Sequence, residues 1–231
     1  MGRPWAEIPI EQMRVWLQNA TQRLLGDSIG LTEDQWRAPA KLPGWSRAHV
    51  AAHLTRDARI FREILLIPEL AWTADDPHSL PEIEEGADQP ALRLQEELDQ
   101  TAAQFSAAVA EVPSWSRPVQ IAAGVYPLSL ITLVRLHELL IHHLDLDVGF
   151  TPDPIAPEAA SWLLEFALFH MRGYAGPAIQ VSSASGIRAV VGRGEPLPVG
   201  GTDARLWAWL CGRIGPEWVE GAYGLALPLL P

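Results

Sequence analysis

The segment Leu133 to Leu146, LVRLHELLIHHLDL, constrains this chain more than any other. Wound as an α-helix at about 100° per residue, it gathers its polar side chains into one narrow stripe. Arg135, Glu138, His142 and Asp145 follow one another at spacings of 3, 4 and 3, while seven Leu and Ile residues cover most of the remaining circumference. A helix so apolar is expected to be enclosed on most sides. Glu138 and His142, one turn apart, then project side by side, as two ligands of one metal ion must. The same periodicity also fits a single solvated face, so the stripe alone leaves both readings open.

The segment Leu42 to Phe61, LPGWSRAHVAAHLTRDARIF, bears on that choice. Ser46 is a good N-cap, with Trp45 and Val50 at the staple positions around it, and the helix is expected to run to about Leu66. Its apolar arc comprises Val50, Leu54, Ala58, Ile60, Phe61, Ile64 and Leu65. His53 and Asp57 project inside that arc, whereas Arg56, Arg59, Arg62 and Glu63 lie opposite, towards water. A polar residue within an apolar face must find a partner. His49 sits at the edge of the arc and reads as exposed.

Together these helices nominate His53, Glu138 and His142 as metal ligands. Two imidazoles and a carboxylate suit zinc or a similar divalent ion, and three protein ligands leave one position open, which favours catalysis over a structural role. Asp57 and Asp145 are placed to orient an imidazole or to make ordinary ion pairs. Arg135 and Arg213 are candidates for a substrate carboxylate, with a salt bridge as the alternative for each. His137 and His143 point away from the stripe, as packing or surface residues. Cys211, amid Trp207, Trp209 and Leu210, reads as a small buried hydrophobe rather than a nucleophile.

Along the rest of the chain, residues 9–26 read as a first helix, Thr32 to Gln35 as a capping box, and 91–112 as a further helix. Residues 67–90, rich in Pro and acid, read as a long connection, either a lid or a solvated loop. A break through Pro113, Pro118 and Gly124 precedes a helix from about Leu128 to Asp147. Beyond Pro152 and Pro154 come a helix over 157–172, a hairpin about Ser185–Gly186 and a last helix opened by Thr202. The expected fold is mainly α: a four-helix bundle over 1–152 and a smaller α+β domain over 153–231.

Composition narrows the partners. The net charge of −11 argues against nucleic acid and anionic membranes, and one cysteine in 231 residues excludes an internal disulfide and a Cys-rich zinc site. The opening MGRPWAEIPIEQ has no apolar h-region, and no run reaches the roughly 18 apolar residues of a membrane span. A cytoplasmic location is the expectation; the oligomeric state is not legible.

GWSRAHVAAHL (Gly44 to Leu54), RLHELLIHHLDL (Arg135 to Leu146) and LWAWLCGR (Leu206 to Arg213) together resemble the mycothiol-dependent maleylpyruvate isomerases, whose N-terminal domain is a metal-binding bundle of the DinB type. The resemblance puts that family's zinc ligands on His53, Glu138 and His142, and its C-terminal substrate-binding Arg on Arg213. Where the family often carries Asn and Arg, this chain has Asp57 and His137. The resemblance implies zinc, mycothiol as a low-molecular-weight thiol cosubstrate, and a small acidic substrate. The implied reaction is cis–trans isomerisation of an unsaturated diacid by reversible thiolate addition, as from maleylpyruvate to fumarylpyruvate. Two alternatives stay open: a mycothiol S-transferase on the same metal, and a non-catalytic metal-binding regulatory protein.

Overall fold

The computed structural model describes residues 5–67, 79–121, 124–225 and 227. The chain divides into two compact units, the first ending at Phe150 and the second beginning at Thr151.

The first unit is built on four long helices: α1 (Ile10–Ser28), α3 (Arg47–Leu66), α5 (Ala91–Glu111) and α6 (Leu130–Asp145), with the short α2 (Glu33–Arg37) and α4 (Ser79–Ala87) between them. Helix α3 packs on α5 and α6, and α1 on the same two, which makes the bundle. Met13, Trp16, Leu17, Ala20 and Leu24 form the buried face of α1. This helix runs past Gly26, where the sequence suggested a stop, because α5 holds its last turn. There Ser28 Oγ donates to Gln95 Oε1 (3.0 Å), and Gln95 Nε2 donates to Leu25 O (3.3 Å).

Both capping boxes form. Thr32 accepts from Gln35 N, and Ser46 accepts from His49 N. In the second box the residue at N3 is a histidine, whose Nδ1 takes the place of the usual carboxylate opposite the Ser46 amide. Arg47 then ties the start of α3 to the end of α6 by donating to Leu146 O and Asp147 O. The two segments singled out in the sequence are thereby fastened together.

Two expectations need correction. The 67–90 connection contains α4, with Ile83 and Ala87 buried. Pro81 falls in its first turn, where no intrahelical bond is lost. Gly86 allows its close approach to α3, since a Cβ there would stand 2.8 Å from Ala52 Cβ. Whether the connection forms a lid falls partly on 68–78, outside the described residues. Likewise the break at Pro118 and Gly124 is a two-stranded hairpin, β1 (Pro118–Ile121) with β2 (Gly124–Pro127), burying Val119 and Ile121.

The second unit holds α7 (Pro157–His170), the strands β3 (Pro177–Ser183), β4 (Arg188–Val191) and β5 (Arg193–Gly201), and α8 (Asp203–Leu210). The sheet order is β4–β3–β5, antiparallel between β3 and β4 and parallel between β3 and β5. Helices α7 and α8 pack together, and α8 also lies on β3 and β5, enclosing Trp162, Leu163, Ile179, Val181, Leu206 and Trp207. The expected hairpin is present. Strand β5 was not foreseen: Gly194, Pro196, Pro198, Gly200 and Gly201 are residues that sheets tolerate chiefly on an edge, and β5 is an edge. The mainly α chain with a smaller α+β part is the fold observed. No helix among the described residues is long and apolar enough to cross a membrane.

Candidate metal centre

All sixteen residues of α6 are buried, so its polar stripe is not a solvated face. Arg135 is 2%, Glu138 9%, His142 6% and Asp145 0% exposed. Four polar side chains drawn from water in this way must answer one another or a ligand.

The structure brings His53 of α3 to Glu138 and His142 of α6. His53 Nε2 lies 3.3 Å and His142 Nε2 3.2 Å from the same oxygen, Glu138 Oε2. One donor atom from each of the three lies within 4.8 Å of the others, and the imidazoles meet edge-on at 4.5 Å. Behind His142, its Nδ1 is 2.9 Å from Asp145 Oδ2, which orients the ring and leaves Nε2 facing the cluster. His53 is the most accessible member, its side chain 20% exposed, so the cluster opens on the α3 side. The Trp45 ring stands 5.5 Å from that imidazole.

Asp57 occupies a different place from Asp145. Its Oδ2 lies 3.3 Å from His53 Nε2, the nitrogen that faces Glu138, rather than from Nδ1. It therefore borders the cluster instead of bracing a ligand from behind. Arg56, expected towards water, has a side chain only 13% exposed and reaches both Asp57 and Glu82. Its long stem lets the guanidinium return to the acids of α3 and α4.

The charges are coupled. Burial by itself would raise the pKa of Glu138, yet hydrogen bonds and positive charge from His142 and His53 hold it well below the usual carboxylate range. Burial would lower that of His142, but Asp145 and Glu138 raise it to about 9. Asp57 is pushed up, chiefly by burial, with His53 opposing. Burial brings Arg135 down to about 10 against the charges of Asp57 and Glu138, and its guanidinium donates to Leu54 O at 3.0 Å. Arg135 is thus a buried counter-charge, held by backbone.

The remaining candidates lie elsewhere. His49 is half-buried rather than exposed, bonded to Ser46 and 3.1 Å from Glu84 Oε2. His137 and His143 are both buried. His143 stacks flat on Phe150 at 4.0 Å, and burial lowers its pKa to about 4. Cys211 is buried. Arg213 belongs to the second unit, is 7% exposed and donates to Cys211 O at 2.7 Å.

The donor set fits a divalent ion. Two imidazole nitrogens and a carboxylate oxygen from adjoining helices converge on one point, with one imidazole braced by a second carboxylate. A helix bundle carrying such a trio defines the class: a DinB-like bundle with a candidate metal site. The family follows from the sequence: the family model for the mycothiol maleylpyruvate isomerase N-terminal domain matches residues 17–147, more than half of the chain, and the chain belongs to that family. No curated protein matches it. Among solved structures, the chain is similar to the mycothiol-dependent maleylpyruvate isomerase, with TM-score 0.88 and 20% identity over 99% of this chain and 100% of the other. A histidine-to-alanine mutant of that enzyme gives TM-score 0.87 at the same identity and coverage. That likeness establishes a shared fold.

Proposed function

We propose that the protein is a zinc- and thiol-dependent enzyme that isomerises a small cis-unsaturated diacid, with mycothiol as the thiol. The observation that carries the reading is the convergence of His53, Glu138 and His142 in a cluster that opens at His53. A zinc ion held there supplies a Lewis acid that lowers the pKa of an incoming thiol. His53 and His142 offer Nε2, Glu138 offers a carboxylate kept ionised by its neighbours, and Asp145 holds His142 in the required tautomer. Arg213 is assigned to a carboxylate of the substrate, through its planar fork of donors. The proposed reaction adds sulfur to one carbon of the double bond, permits rotation about the resulting single bond, and expels the same sulfur. The protein needs no cysteine of its own for this, in keeping with the burial of Cys211.

The test is metal analysis of the wild type, His53→Ala and His142→Ala, followed by assay on maleylpyruvate with and without mycothiol. One zinc per wild-type chain, lost in both variants, and turnover that requires but does not consume the thiol are expected. Equal metal content in all three proteins overturns the site. Stoichiometric loss of thiol converts the reading to an S-transferase.

A further inference from the structure

A second feature lies wholly within the residues from Thr151 onwards. A groove of about 750 Å³ runs between the end of α7, with the turn that follows it, and the edge strand β4 with its flanking turns. Three arginines line it, Arg172, Arg188 and Arg193, all exposed. None forms an ion pair with a carboxylate among the described residues. Elsewhere in the chain, arginines such as Arg37, Arg59, Arg93 and Arg205 are matched to acids. Such a concentration of unmatched positive charge is unexpected in a chain with 28 acidic residues and a net charge of −11. Glu165 is the one acid lining the groove.

One of the arginines is also held in place. The Arg172 guanidinium carbon lies 4.8 Å above the Phe169 ring, which restricts its rotamers. Arg188 opens β4 opposite Ser182 and Arg193 opens β5 opposite Pro177; the two strands are joined at Gly192, whose φ of 89° and whose approach to the Pro177 carbonyl leave no room for a Cβ.

We propose that this groove binds a small multivalent anion, a compound carrying two or more carboxylate or phosphate groups. Planar guanidinium groups bind both kinds of oxyanion bidentately, and the volume is that of small-molecule sites. The protein's overall negative charge disfavours an extended polyanion such as nucleic acid. A small anion in the groove responds chiefly to charges within about 10 Å, the screening length. The inference does not depend on the metal reading.

The test uses the full chain at low ionic strength, titrated calorimetrically with tricarballylate, with fructose 1,6-bisphosphate, and with acetate as a monovalent control. Saturable binding of at least one multivalent probe is expected, with Kd below about 1 mM. It should weaken about tenfold or more in Arg188→Ala/Arg193→Ala and be unchanged in His53→Ala. Which probe binds distinguishes a carboxylate ligand from a phosphorylated one. Arg172→Ala, which alters neither strand, provides a second variant. Failure of both multivalent probes to bind, binding no tighter than that of acetate, or full affinity in both arginine variants overturns the proposal.

Discussion

Asp145→Asn isolates the residue that braces His142. The Asp145 carboxylate is completely buried, and its Oδ2 lies 2.9 Å from His142 Nδ1. Asparagine has nearly the same shape and keeps an oxygen that can accept the Nδ1 proton, so the substitution removes charge and little volume. Carboxylates in this position typically change metal affinity by about 10- to 100-fold, or about 1.4–2.7 kcal/mol. The assay is competition for zinc against a chromogenic chelator at pH 7.5, with a circular-dichroism melt showing that the variant folds. A folded variant whose zinc affinity stays within about twofold of wild type refutes the reasoning that Asp145 prepares His142 for an ion.

The pH dependence of metal binding follows from the same residue. His142 carries a proton below about pH 9 in the metal-free protein, and an ion must displace it. Zinc affinity should therefore rise by up to about tenfold per pH unit from 7 to 9, with one proton released into the buffer by this residue. A flat affinity over that range contradicts the assignment. In the metal-free protein the pKa is raised above its unfolded value, so the stabilisation is complete below about pH 6.5 and lost as pH rises through about 9. Urea titrations at pH 6.5 and 9.5 would register this contribution, and equal stability at the two pH values counts against it. Arg135→Met removes one of the buried positive charges that face Asp57 and Glu138 and should cost about 3 kcal/mol in chemical denaturation, beyond its effect as a packing change. Ser46→Ala removes the N-cap of α3 and should cost about 1 kcal/mol by the same measurement.

Much of the candidate site was legible because its rules are local. A helix places residues four apart on one face, so Glu138 and His142 were neighbours from their spacing alone, and His53 was conspicuous as a polar residue inside an apolar arc. Caps are equally local, and Ser46 and Thr32 do what their positions imply. Local rules say nothing about which helix faces which. The stripe of α6 could have been wet or dry until α1 and α3 were seen packed against it. Arg135 could not be assigned before its guanidinium was found on the Leu54 carbonyl. The side of His53 on which Asp57 falls required coordinates, since a separation of four residues does not specify which ring nitrogen is met. Strand β5 and helix α4 escaped notice for a related reason. Their Gly and Pro residues oppose regular structure by intrinsic preference, and only pairing with β3 and packing on α3 overrode it.

The sequence by itself determined the periodic segments, their caps and the three side chains able to share an ion, because each depends on interactions within about one helical turn. The tertiary structure alone decided that those side chains meet in a buried place, since their convergence depends on how separate helices pack, and packing is a property of the whole chain.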